Sequence, residues 1–256
     1  MCILKKNLSL KKLAYIWLFI IKRSYLHFIQ IKKINFKYSI LFLPHIIRGY
    51  ISSAFNDNFN QLIKEKKNYF ENKYTFYYED WFSSSIPIWE TLFKNITKIK
   101  YLEIGAFEGR SALYVGELTN LHSIMCVDTF MGSDEHENID FKIVFNNFKN
   151  NLIILNKHNV SFTKSTSDHF FKNNKFTYNL IYVDGAHNYD AVKNDFINSF
   201  NALEVGGLLI MDDFFWSYYD IQNNNPLAAV LDCYKIFNKN LEIVSLYQQI
   251  IFKKKS

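Results

Sequence analysis

From residue 98 to the C-terminus, short apolar runs alternate with stretches of helical periodicity, and most of the runs end in Gly or Asp. Apolar runs of about 4–8 residues closed by a turn residue are the pattern of strands buried on both faces. The pattern predicts strands over Lys100–Ile104, Ser123–Val127, Val160–Thr163, Leu180–Val183 and Leu208–Met211, with helices near 109–119, 137–150, 167–172, 188–203 and 226–238. Strand and helix in strict alternation build βαβ units and hence a parallel sheet. The last stretch reads differently, as two strands, Glu242–Leu246 and Gln249–Phe252, too close for a crossover helix and therefore antiparallel. The expectation is an α/β, doubly wound sheet of seven strands, mostly parallel with an antiparallel C-terminal strand. It spans residues 75–256, behind a basic, aromatic helical arm over residues 1–74.

Composition sharpens this picture at two points. The 256 residues are 49% hydrophobic and 21% charged, with 25 Phe and 17 Tyr, which suits one packed domain with appendages and excludes a disordered chain. The net charge of +6 is uneven: residues 1–50 hold ten Lys/Arg and no Asp/Glu, leaving 20 Lys/Arg against 24 Asp/Glu in the rest. A mildly acidic body gives no footing for nucleic acid, so the basic arm accounts for the sign. Cys2, Cys126 and Cys233 are scattered and lack CxxC spacing, which argues against a disulfide framework or zinc cluster and favours a reducing, cytoplasmic setting.

The longest early apolar run, Leu13–Ile21, is nine residues between Lys12 and Lys22, whereas a membrane span needs about 20. Lys22-Arg23-Ser24-Tyr25 stands where a signal peptide would need small residues. The pairs Lys5-Lys6, Lys11-Lys12 and Lys32-Lys33, interleaved with Trp17, Phe19, Tyr25, Phe28, Phe36 and Tyr38, leave two readings open. One is a helical cap on the domain. The other is a helix lying on an anionic membrane surface, making the protein membrane-peripheral.

Chemistry concentrates at the predicted strand ends. The first strand runs into Glu103-Ile-Gly105-Ala106-Phe107-Glu-Gly109-Arg110-Ser111, a glycine turn opening a helix. A dinucleotide fingerprint would need glycine where Phe107 stands, which disfavours NAD. The E-x-G-x-x-x-G pattern instead resembles the first motif of class I S-adenosylmethionine-dependent methyltransferases. That resemblance implies a Rossmann-like fold and S-adenosyl-L-methionine as cofactor, held near Glu103, Gly105, Ala106, Phe107, Gly109, Arg110 and Ser111. Asp128 closes the second strand, where an acid can accept both ribose hydroxyls. The resemblance places adenine contacts at Ser167 and Asp168, after the third strand, and further cofactor contact at Asp184.

Asp184-Gly-Ala-His187-Asn-Tyr189 ends the fourth strand, and Gly206-Gly-Leu-Leu-Ile-Met-Asp212-Asp213 the fifth. Carboxylates so close repel unless a cation or proton lies between them, and an oxygen-only set suits Mg²⁺ or Ca²⁺. These segments resemble the macrocin-type O-methyltransferases, which implies metal ligands at Asp184, Asp212 and Asp213; a metal-free acidic cluster is the other reading. His187 is a general base near neutral pH or a helix-start contact to the cofactor. The segment Asp80-Trp81-Phe82-Ser-Ser-Ser-Ile-Pro-Ile-Trp89-Glu90, with Asp128-Thr129-Phe130, Gly132 and Glu135-His136, resembles a group of uncharacterised bacterial class I methyltransferases. It is either a helix packed on the sheet edge or a lid bringing Trp81 or Phe82 to the cofactor.

The expected function is S-adenosylmethionine-dependent O-methylation of a glycan, sugar or other small hydroxyl-bearing acceptor, assisted by Mg²⁺, with Asp184 or His187 taking the proton. Residues 131–150 and 214–226 are the expected pocket walls. The resemblance also implies a homodimer. A non-catalytic membrane-surface or binding protein on the same fold is the competing class.

Overall fold

The computed structural model describes residues 10–55 and 57–256; Cys2 and the Lys5-Lys6 pair lie outside them. Seven strands form one sheet: β1 (Ile99–Ile104), β2 (Leu121–Asp128), β3 (Val160–Lys164), β4 (Tyr178–Val183), β5 (Leu203–Met211), β6 (Leu241–Leu246) and β7 (Ile250–Lys254). Their order is β3-β2-β1-β4-β5-β7-β6. β7 runs antiparallel between β5 and β6, and the other pairings are parallel. The chain leaves β1 toward β2 on one side and returns to place β4 on the other. The carboxyl ends of β1 and β4 therefore frame the crevice in which open α/β sheets bind ligands. Register puts Ile104 beside Val183, and the Asp184 amide donates to the Ile104 carbonyl at 2.8 Å, so Gly105 and Asp184 meet at the switch point.

Five helices follow strands: α5 (Arg110–Gly116), α6 (Phe141–Leu155), α7 (Ser167–Asn173), α8 (Tyr189–Ala202) and α9 (Pro226–Phe237). The largest departure from the sequence pattern is α6, expected from residue 137. Asp140 is its N-cap, its side chain accepting from the Lys142 amide at 2.8 Å, which leaves 131–140 as a loop. β4 and β5 also begin earlier than their apolar runs, at Tyr178 and Leu203.

Ahead of the sheet lie α1 (Leu10–Ile34), α2 (Phe36–Phe55), α3 (Asp57–Lys73) and α4 (Ile86–Phe93). Ile20 and Ile31 of α1 and Phe42 and Ile46 of α2 are buried in the same cluster as Leu209, Phe214 and Phe252. α2 comes close to β6 at Gly49, where a Cβ would lie 2.2 Å from the Leu246 carbonyl oxygen. The first two helices thus cover one face of the sheet. Their outer face keeps Leu10, Tyr15, Leu18, Ile21, Tyr25 and Ile40 exposed. Among the described residues no helix is long and apolar enough to cross a membrane.

The segment before β1 splits its aromatics. Phe82 and Trp89 are buried, with the Trp89 indole N–H donating to Gln249 Oε1 at 2.8 Å. Trp81 stays 56% exposed, its ring 5.3 Å from that of Phe107.

Candidate active site

The loop after β1 is held open by backbone geometry. Gly105 has φ +86°, and a Cβ there would lie 1.9 Å from the Asp184 carbonyl oxygen, so only glycine lets β1 and β4 close at this height. Phe107 is also left-handed, at φ +47°. Asp128 holds that conformation: Oδ2 accepts from the Ala106 and Phe107 amides at 2.8 and 2.9 Å, and Oδ1 from the Phe130 amide at 2.6 Å. Burial pushes the Asp128 pKa up, and the three amides act against it.

Glu103 faces the other way. It is fully buried, accepting from the Ser111 hydroxyl and from the Cys126 thiol, and burial pushes its pKa up to about 8. Arg110 points away from the cavity, its guanidinium carbon 3.7 Å from the Phe76 ring centre and its Nη1 within 4.0 Å of carboxylate oxygens of Glu71 and Asp80. One cavity of about 1190 Å³ opens at the carboxyl edge of the sheet. Of the residues expected around a cofactor, Gly105, Phe107, Asp128, Ser167, Asp168 and Asp184 line it. Glu103, Ala106, Gly109, Arg110 and Ser111 do not, because the turn directs them beneath the loop, into the core or toward the 76–80 segment.

At the other end, three carboxylates surround one imidazole. His187 Nδ1 lies 2.7 Å from Glu135 Oε1; Nε2 lies 3.1 Å from Asp213 Oδ2 and 3.5 Å from Asp184 Oδ1. Neither Nε2 contact has hydrogen-bond geometry, so that atom is buried without a partner. Burial lowers the His187 pKa, but the Asp184, Glu135 and Asp213 carboxylates outweigh it and raise the value to about 10. The neighbouring carboxylates therefore favour the protonated ring, so a general-base role for His187 requires that proton to pass first to Asp184 or Asp213.

Asp212, expected as a third acid of the cluster, is held by hydrogen bonds. It lines the cavity, but its Oδ2 accepts from the Tyr182 hydroxyl and from Gln249 Nε2, and its Oδ1 from the Asp213 amide, so both oxygens are already engaged. Burial and the Asp184 and Asp213 charges push its pKa up. Asp213, at φ +50°, turns its carboxylate into the cavity. Ligand atoms of Asp184, His187 and Asp213 lie within 4.8 Å of one another, a set in which His187 replaces the expected Asp212.

The sequence pattern did not single out three further parts of the lining. Glu135 figured only within a motif resemblance, and its pairing with His187 spans 52 positions. Asp195 of α8 is buried with Oδ1 unpartnered, and burial pushes its pKa up to about 7. Phe19, Arg23 and His27 of α1 line the cavity with Tyr50 of α2. Their i, i+4, i+8 spacing is the one signal that could have grouped them.

Residues 102–214 match the family model for a methyltransferase domain. Solved structures of the same fold include an O-methyltransferase from Bacillus cereus in complex with S-adenosylhomocysteine, at 12% identity and TM-score 0.51, covering 81% of this chain and 96% of that one. TomG, an O-methyltransferase from Streptomyces achromogenes involved in tomaymycin synthesis and bound to S-adenosylmethionine, aligns at 10% identity and TM-score 0.52, covering 81% and 95%. MycE, from the mycinamycin biosynthetic pathway and in complex with Mg, S-adenosylhomocysteine and mycinamycin VI, aligns at 12% identity and TM-score 0.51, covering 84% of this chain and 60% of that one. At these identities the likeness is one of fold. No curated protein matches the chain in sequence. The matched segment, running from β1 to the residue after Asp213, and the sheet order with its antiparallel β7 give this chain a methyltransferase domain match on the Rossmann-like fold of those O-methyltransferases.

Proposed function

We propose that the chain methylates a hydroxyl group of a sugar or another small acceptor, with the cofactor along Asp128, Ser167 and Asp168 and the acceptor at the His187 end. The observation that carries this reading is the continuous cavity joining those two groups of residues. At about 1190 Å³ it exceeds the ~300–1,000 Å³ typical of a site for one drug-sized ligand, which leaves room for cofactor and acceptor together. S-adenosylmethionine, when bound, supplies an electrophilic methyl group. The protein's own task is to align the acceptor oxygen with it at about 3–3.5 Å and to accept a proton.

Glu135 orients His187 through Nδ1, leaving Nε2 as the atom that faces the reacting oxygen. Asp184 and Asp213 flank that nitrogen and can share the proton. These two carboxylates, with His187, are also the residues that suit a divalent cation, since the cluster of Glu135, Asp184 and Asp213 carries more negative charge than one imidazolium balances. When bound there, such a cation would neutralise the carboxylates, lower the His187 pKa and acidify an adjacent hydroxyl.

Calorimetric titration of the full chain with S-adenosylhomocysteine, with and without Mg²⁺, tests the reading. Micromolar binding weakened by Asp168→Ala supports it, and absence of binding in both conditions overturns it.

The outer face of α1 and α2 supports membrane-peripheral placement, because exposed Tyr15, Leu18, Ile21 and Tyr25 lie beside Lys11 and Lys22 on a segment without acidic residues. Co-sedimentation with phosphatidylglycerol vesicles, lost at high salt and absent with phosphatidylcholine, is the expected result. Equal sedimentation with both lipids would count against an electrostatic surface contact.

A further inference from the structure

The cavity lining holds a cluster of acids around His187 and an arginine from the N-terminal arm, and the two come from different parts of the chain. Glu135, Asp184 and Asp213 crowd the end where methyl transfer is placed. Elsewhere on the lining Arg23, an exposed residue of α1, stands one helical turn from both Phe19 and His27. Its guanidinium carbon is 5.7 Å from the Phe19 ring centre, and among the described residues no carboxylate lies within ion-pair distance of it. A cavity-lining arginine without an acidic partner is a ready site for a carboxylate, phosphate or sulfate.

The wall carrying Arg23 is anchored. His27 stacks on Phe215 with ring centres 3.7 Å apart, and its Nε2 lies 2.6 Å from the Tyr50 hydroxyl. Gln30 donates from Nε2 to the Phe215 carbonyl at 3.3 Å. The next residue, Trp216, has its ring centre 5.0 Å from that of His187. Two consecutive residues of the loop after β5 therefore touch the arm and the reacting end, setting the separation of the two charged groups. An acceptor whose own anionic group sat near Asp213 would be repelled. With that group at Arg23, its hydroxyl is left facing His187.

We infer that α1 is the acceptor-recognition wall and that Arg23 anchors a negatively charged group, so the acceptor is an anionic hydroxyl compound with a ring or chain lying against Phe215 and Trp216. This deepens the methyltransfer reading and rests on it for the word acceptor; the anion site itself does not.

The probe is a pair of dyes sharing one aromatic skeleton, anionic 8-anilinonaphthalene-1-sulfonate and neutral N-phenyl-1-naphthylamine, titrated by fluorescence into the full chain. Arg23→Gln is expected to weaken the sulfonate about tenfold, the equivalent of one charge-assisted contact, and to leave the neutral dye unchanged. Arg23→Lys should recover part of the loss, and Lys22→Gln, which does not line the cavity, should cause none. Equal sulfonate affinity in wild type and Arg23→Gln, an equal loss for the neutral dye, or an equal loss in Lys22→Gln would each overturn the assignment. Dye discrimination that persists while S-adenosylhomocysteine fails to bind would remove the methyltransfer reading and keep the anion site.

Discussion

Glu135 Oε1 lies 2.7 Å from His187 Nδ1, bringing the loop before α6 against the loop before α8. The Ser133 hydroxyl also donates to the same Glu135 oxygen, at 2.6 Å, so the carboxylate is held on both sides. Burial acts to raise the Glu135 pKa, but His187 and Ser133 prevail and lower it to about 2. A carboxylate so placed fixes the imidazole ring by accepting from its Nδ1–H.

Replacing Glu135 by Gln removes one of the charges that raise His187. In EDTA-treated protein, NMR titration should find the His187 imidazole titrating near 10 in the wild type and distinctly lower in the variant. An unchanged midpoint would show that Glu135 does not set the protonation of the ring.

Asp212 and Asp213 should separate cleanly despite being neighbours. Asp213→Asn is expected to lower turnover by about 10²-fold, the range of a lost proton-transfer partner, and to remove any response to Mg²⁺ or EDTA. Asp212→Asn should leave that response in place and act mainly on stability, through Tyr182 and Gln249. Initial rates across a Mg²⁺ series read both; the opposite ranking would return Asp212 to the metal set.

Glu103 makes stability depend on pH. Its folded pKa of about 8 lies above its ordinary 4.5, so the folded state holds a proton that the unfolded state releases. That contribution is complete below pH 4.5 and is lost as pH rises to about 8, at up to about 1.4 kcal/mol per pH unit. Glu103→Gln, which cannot ionise, should flatten this part of the melting-temperature profile. Parallel profiles for the two proteins would show that Glu103 is ionised in the fold.

Gly105→Ala should destabilise by about 2–4 kcal/mol, since a side chain meets the Asp184 carbonyl in a left-handed conformation. Denaturant melts would show the loss, and cofactor binding should weaken with it. Melts that superimpose on wild type would mean the β1 and β4 ends are further apart than described.

Much of the architecture was legible because it is local. Short continuous apolar runs and period-3.6 patterning, with Gly or Asp at the strand ends, need only neighbouring residues, and the tight β6–β7 connection leaves no choice but antiparallel pairing. The placement of acids at the carboxyl edge follows from the same reading, since a parallel sheet delivers every strand end to one side. The start of α6 was missed because Asp140 outcompetes the helical periodicity upstream of it.

The orientation of each side chain was decided only by tertiary structure. Glu103 and Gly105 stand two residues apart, yet one enters the core and the other meets β4, because the strand ends at Ile104 and the backbone turns left-handed at Gly105. Asp212 is tied to Gln249 of the β6–β7 turn, while Asp213 takes a positive φ and turns toward His187. Arg23 carries no motif and gains its place only because Gly49 lets α2 settle on β6 and bring α1 over the cavity. By itself the sequence determined the strands, their connections and the edge where the chemistry gathers, through short-range patterning. Which charges meet across that edge depends on contacts between residues far apart in the chain, which no local pattern encodes.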